Sequence, residues 1–116
     1  MDWNYLFTRF EGRISRQPFW IATLIFWAVN WGLAGISYAI FGEYAANIVI
    51  LVVPLVLLYP ALAVGIKRWH DRDKSGWWML IVLVPVVGPF WYLIECGFLR
   101  GTAGENRFGP DPLGGA

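Results

Sequence analysis

Three apolar runs alternate with short charged stretches along the chain. The first extends from Phe19 to Phe41 and the second from Ala45 to Ile66, neither with a charged residue. The third, Trp77 to Leu99, is interrupted only by Glu95 near its end. About 20 apolar residues let a helix cross the roughly 30 Å hydrocarbon layer. A helix also satisfies its own backbone there. The pattern predicts an all-α membrane protein with three transmembrane helices, at about residues 19–41, 45–66 and 77–99. The first run exceeds the roughly 7–15 apolar residues of a signal peptide, and acids as well as bases precede it, so it is expected to stay as an anchor.

Ahead of these runs, Trp3, Leu6, Phe7 and Phe10 recur at i, i+3, i+4 and i+7, which is one face of a helix. Asp2 is placed to cap its start and Gly12 to end it. The segment reads as a short amphipathic helix, either at the inner leaflet or packed on the bundle. Ser15 is expected to cap the first membrane helix, with Pro18 in its first turn. Pro54 and Pro60 are expected to kink the second helix, since each removes a backbone hydrogen bond. The run Pro85-Val86-Val87-Gly88-Pro89 breaks the third near its middle. That leaves a bent crossing helix, which is favoured, or a re-entrant hairpin that returns to its own side. The tail 100–116 is too rich in Gly and Pro for regular structure. Within it, Asn106 to Pro112 is expected to form a compact turn anchored by Phe108.

Composition points the same way. The chain is 58% hydrophobic and 15% charged, against roughly 45–50% and about 25% for soluble domains. Its 116 residues are too few to bury that much apolar surface in a soluble core. The whole is read as one integral membrane domain, residues 1–116, with an interfacial segment 1–18 and the tail 100–116. Net charge is only +1, but its distribution is informative. Arg9, Arg13 and Arg16 precede the first run, and Lys67, Arg68, Arg72 and Lys74 fill the second connector, whereas Gly42-Glu43-Tyr44 carries no base. The positive-inside rule puts the N-terminus and the second connector in the cytoplasm. A full third crossing leaves seven bases inside and two outside; a hairpin leaves all nine inside.

FEGRISRQPFW (10–20), PALAVGIKRWHD (60–71), SGWW (75–78) and GTAGENRFGPDP (101–112) stand in this order along nearly the whole chain. In this combination the sequence resembles the bacterial inner-membrane family called domain of unknown function 805. Pro18 stands where that family often has an acid, and Trp69 where Leu is common. The resemblance implies a small polytopic protein of the bacterial inner membrane. It implies no activity.

Candidate chemistry is sparse. His70 and Asp71 are a tempting pair, but one His and one Cys exclude most metal sites, and no metal or cofactor is expected. Asp71 and His70 are expected to tie the connector to Arg13, Arg16 or Arg68. If the tail lies on the same side, Asn106 and Arg107 join Arg13, Arg16, Arg68, His70 and Asp71 in one cytoplasmic polar cluster. The bases form a collar that sets topology or receives anionic lipid headgroups. Within the membrane, Glu95 is expected to snorkel or pair with Arg100, and Asn30 to hydrogen-bond across helices. Ala28 and Gly32, and Gly35 and Ala39, have the spacing of close helix contacts, internal or between copies. No phosphate loop, HExxH or GxSxG is present, and nucleic-acid binding lacks support. The sequence therefore predicts a non-enzymatic accessory, scaffold or self-associating subunit, acting on the bilayer, a membrane-protein partner or its own copies. The alternative is an oligomeric transporter or channel for protons or small solutes, motivated by Glu95. A lipid-modifying enzyme using His70 and Asp71 is the third reading.

Overall fold

A computed structural model describes residues 2–113, and among them the fold is helical with no strand. Helix α1 spans Trp3–Thr8, with the Asp2 carboxylate accepting from the Tyr5 amide as foreseen. It ends at Thr8, earlier than Gly12 suggested. Gly12 instead takes φ 91° in the following loop. Leu6 is buried and Phe7 packs inward, while Trp3 stays half exposed. The helix thus lies against α4 rather than standing free.

Helix α2 spans Arg16–Phe41 after Ser15. Ser15 occupies the capping position but makes no side-chain cap. At Gly42 the backbone takes φ 93°, a region open to glycine, and α3 (Glu43–Val56) doubles back along α2. Helix α4 (Leu58–Asp71) follows after a single residue, Leu57, with a bend of 48° between α3 and α4. Pro54 and Pro60 flank that bend and account for it. The helix continues through Lys67–Asp71, residues expected to be connector. It closes in a Schellman motif: the Lys74 amide bonds Trp69 O at 3.0 Å and the Asp73 amide bonds His70 O at 2.9 Å. Asp73 sits at φ 60°, a conformation that Asp tolerates better than most residues.

The third apolar run departs from the expected crossing helix. Gly76–Leu83 is a 3₁₀ helix, α5 covers Val87–Tyr92, and Leu93–Phe98 is a π turn. Between the first two, Pro85 and Pro89 bracket Val86 at φ 65°, a strained setting for a β-branched residue. The arms close on each other at Gly88. A Cβ there would lie 1.7 Å from Ile81 O, so only glycine permits the approach. At the open end, Lys74 Nζ meets the Glu95 carboxylate at 2.5 Å. Residues 74 and 95 are therefore neighbours, and the run is a hairpin. The physical reason is the Pro-Val-Val-Gly-Pro break, which removes helical donors and supplies the one residue small enough for arm-to-arm contact.

The core gathers at one end of the molecule. Leu6, Ile14, Phe19, Ala22, Val64, Trp69 and Cys96 form it, and Met79, Ile81 and Tyr92 of the hairpin pack on it. Beyond it, the far half of α2 and helix α3 present Ile36, Ile40, Phe41, Leu51 and Val56 outward. Among the described residues, only α2 is by itself long and apolar enough to cross a bilayer; the α3–α4 pair qualifies when taken as one bent element.

Candidate functional site: a buried arginine–carboxylate lock

Charged side chains are rarely buried in folded proteins unless paired. Here Arg13, Lys67, Arg68, Asp71 and Glu95 are all buried, and all but Lys67 are at the junction of connector, hairpin and tail. Asp71 is the hub. Its Oδ1 accepts from Arg13 Nε at 3.0 Å and lies 2.9 Å from Arg13 Nη2. Its Oδ2 accepts from Arg68 Nη1 at 2.6 Å. Burial pushes the Asp71 carboxyl up from the ordinary carboxylate value, and Arg68 and Arg13 oppose that. The ion pairs thus offset the burial of the carboxylate rather than adding a large surplus.

The tail completes the coordination of Arg13. Nη1 donates to Gly104 O at 2.7 Å and to Gly109 O at 3.1 Å, and Nη2 to Thr102 O at 2.5 Å. These four hydrogen bonds and the close approach of Nη2 to Asp71 enclose the guanidinium. Arg68 Nε donates to Cys96 O at 2.6 Å, and its Nη2 to Leu99 O. At Gly101 a Cβ would lie 1.9 Å from Asp71 Oδ2, so a glycine is required for the tail to pass over the lock. The Thr102 amide then bonds Asp71 O at 2.6 Å.

The remaining tail seats on His70. Phe108 stacks on the imidazole with ring centroids 4.0 Å apart and planes 2° from parallel. Asn106 Nδ2 donates to His70 O at 2.9 Å, and its Oδ1 accepts from the Phe108 amide. Asn106 and Gly109 exchange both backbone bonds, forming the compact turn the sequence suggested. His70 Nδ1 lies 2.9 Å from Gly12 O. Arg107 reaches Asp73 through Nε at 3.1 Å and Nη2 at 2.7 Å, although both side chains remain substantially exposed.

Burial lowers the His70 pKa from its ordinary value; the bond to Gly12 opposes this and nearby Arg107 reinforces it. The unfolded chain therefore binds more protons than the folded one just below pH 6.5. Stability contributed by neutral His70 is present above that pH and is lost as pH falls toward the folded pKa. Acidification from pH 7 to 5 is expected to lower the unfolding temperature in detergent. His70→Phe, which keeps a ring against Phe108 but cannot titrate, should flatten that dependence; an unchanged slope would count against the assignment.

Of the anticipated cluster, the structure brings Arg13, Arg68, His70, Asp71, Asn106 and Arg107 together. Arg16 is separate: it is exposed, and its Nη1 donates to Phe98 O at 2.9 Å. Glu95 does not pair with Arg100. Its carboxylate takes Lys74 at 2.5 Å, Arg72 Nε at 3.5 Å and the Trp91 indole N–H at 2.9 Å, because the hairpin returns it to the connector. Asn30 Oδ1 is buried without a hydrogen-bond partner among the described residues, contrary to the expected bridge. The collar of bases also divides. Arg13, Lys67 and Arg68 are internal, whereas Arg16, Arg72 and Lys74 remain accessible.

Sequence reasoning missed the role of Lys67. Its Nζ donates to Leu6 O at 2.8 Å and to Tyr5 O, closing the C-terminal carbonyls of α1. Burial there lowers its pKa to about 8. The Tyr5 hydroxyl, which accepts from the Arg13 amide at 3.0 Å and donates to Arg13 O at 3.1 Å, was missed as well. The only signal was a lysine one residue past an apolar run, which reads as topology and not as a cap. Among the described residues no cluster of three or more potential metal ligands occurs.

This is a helical protein of membrane-like composition, with five buried charged side chains and many large apolar side chains exposed. The chain belongs to the family described as protein of unknown function DUF805, whose pattern matches residues 7–110. It is similar to the inner membrane protein YhaH of Escherichia coli K12, 34% identical over 120 residues covering 97% of each chain. It is also similar to the E. coli K12 inner membrane protein YhaI, 36% identical over 92% of this chain and 88% of the relative. The E. coli protein YiiR is 34% identical over 93% of this chain and 88% of its own length. No solved structure matches the chain.

Proposed function

We propose that the chain is a small bacterial inner-membrane protein, anchored by α2 and the bent α3–α4 pair, whose hairpin 76–98 dips into the bilayer from the cytoplasmic side and returns. N-terminus, connector and tail then form one cytoplasmic plate, which acts by contact as an accessory, scaffold or self-associating subunit and not by catalysis. The observation that carries this reading is the seating of the tail on the connector through Arg13, Asp71 and His70. A hairpin whose ends touch cannot have those ends on opposite sides of a layer about 30 Å thick. The arrangement also leaves all nine Lys and Arg residues on one side, in keeping with the positive-inside rule.

Three features support contact over chemistry. The Arg13 guanidinium is buried and enclosed by Asp71 and three tail carbonyls, which leaves no room at the lock for a substrate. Glu95, the acid that motivated a transport reading, is already neutralised by Lys74 and Arg72. A Cβ at Gly32 or Gly35 would meet nothing within 4 Å, so the small-residue face of α2 is open to a neighbouring helix. A detergent-solubilised complex is expected to hold a second copy or another protein; a strictly monomeric, partnerless species argues against the scaffold role.

The topology is tested with reporters fused at the C-terminus, one active only in the cytoplasm and one only outside it. Signal is expected from the cytoplasmic reporter alone. An active external reporter overturns the arrangement.

A further inference from the structure

The bases that the lock does not consume collect at one place. Arg72 and Lys74 both reach the Glu95 carboxylate, at 3.5 and 2.5 Å. Arg72 Nη1 donates to Arg100 O at 2.5 Å, and Arg16 Nη1 to Phe98 O at 2.9 Å. Arg72 and Lys74 thus hold Glu95, while Arg16 and Arg100 stand at the last residues of the same returning arm, giving four bases and one acid at its base. Arg16 and Arg100 are exposed, and the side chains of Arg72 and Lys74 are 27% and 29% exposed. Lys74 is held over the Trp78 ring, 4.7 Å from its centroid. That fixes an ammonium at the level where interfacial indoles sit.

An apolar groove of about 540 Å³ begins at this cluster. Glu95 and Leu99 line it beside the bases, and Ile94, Phe90, Val87 and Val86 continue it to the hairpin tip. From residue 86 to 99 a helical arm rises by just under about 20 Å. One leaflet of hydrocarbon is about half of 30 Å. The groove is thus long enough to span a single leaflet, with positive charge at its polar end and none at its apolar end.

We propose that this groove holds one acyl chain of an anionic glycerophospholipid, with its phosphate seated over Arg72, Lys74 and Arg100. The charge pattern selects the occupant. A second protein helix would meet a net excess of three positive charges at one end of an otherwise apolar surface. A phosphodiester with an attached acyl chain matches both halves. Glu95 offsets one of the four positive charges and leaves three for the anionic headgroup. The proposal rests on the hairpin returning to the cytoplasmic leaflet, since only then do groove and bases share one leaflet.

The test uses the purified full chain, delipidated in neutral detergent and titrated with phosphatidylglycerol or with phosphatidylcholine of identical chains. Native mass spectrometry counts the lipid retained. Phosphatidylglycerol should be retained preferentially. Each cation removed, as in Arg100→Gln and Arg72→Gln, should weaken it about fivefold. Ile94→Trp, which fills the groove, should weaken both lipids. The Arg100 side chain makes no hydrogen bond among the described residues, so Arg100→Gln remains informative if the Arg72 variant fails to fold. Equal retention of the two lipids, or undiminished phosphatidylglycerol binding in Arg100→Gln and Ile94→Trp, overturns the site. So does glycerol phosphate binding as tightly as the lipid, which would mean that the groove contributes nothing. A tail reporter active outside the cell sinks the topology on its own, whatever the lipid titration gives.

Discussion

Asp71→Asn is expected to cost about 3–5 kcal/mol of stability, the range for removing one partner of a buried ion pair. Arg13 and Arg68 have side chains 1% and 0% exposed, and Asp71 is the anion that both contact. The remaining partners of Arg13 are carbonyls, which satisfy hydrogen bonds but carry no net charge. Asn has nearly the same shape, yet its amide must turn a donor toward one guanidinium or the other. One of them then faces a donor in a site that water does not reach. Asp73→Asn is the control. It loses an ion pair whose side chains are 66% and 43% exposed, and exposed pairs contribute about 1 kcal/mol or less. Denaturant titration in mild detergent separates the two. Equal losses at positions 71 and 73 would mean that the lock is no keystone.

Gly88→Ala is the second large effect. The added Cβ meets the Ile81 carbonyl at 1.7 Å and Val82 Cα at 3.1 Å. Both are backbone atoms, so no rotamer change relieves the overlap, and the arms must separate. Overpacking typically costs about 1–3 kcal/mol and more when the backbone must move. Separated arms also free Lys74 from Glu95. A lowered unfolding temperature is expected, together with a fraction of C-terminal reporters appearing on the far side if the run straightens into a crossing helix. Gly32→Ala, where a Cβ meets nothing within the chain, should leave both readouts unchanged. If Gly88→Ala behaves like Gly32→Ala, the close approach of the arms is wrong.

The parts of the fold legible in the sequence were those governed by local signals. Asp2 as a cap, α2 as a long apolar helix, and a bend beside Pro54 and Pro60 all follow from propensity and missing donors. The turn around Phe108 follows from Asn, Gly and Pro. The hairpin was only half legible. Pro85, Gly88 and Pro89 announce a break, but bend and reversal use the same residues. The difference lies in whether Gly88 faces Ile81, which is a tertiary fact. Glu95 shows the same limit. Along the chain Arg100 is its natural partner, and only the reversal brings Lys74 and Arg72 closer. The cluster around Asp71 was anticipated conditionally, because its members lie on three segments whose common side the sequence alone left open.

The Arg13 coordination has a consequence for biogenesis. Its backbone partners Thr102, Gly104 and Gly109 lie 89, 91 and 96 residues downstream. Contacts at such separation form late and carry a large closure entropy. During synthesis Arg13 and Arg68 emerge long before the segment that finishes enclosing them. Until then, the two guanidiniums and Asp71 stay hydrated, although Lys74 and Glu95 can already close the open end of the hairpin. A chain cut before Thr102 would carry every apolar segment yet keep the junction wet. Until residues 102–109 arrive, Arg13 lacks three of its carbonyl partners, so this junction is the last part of the fold to close.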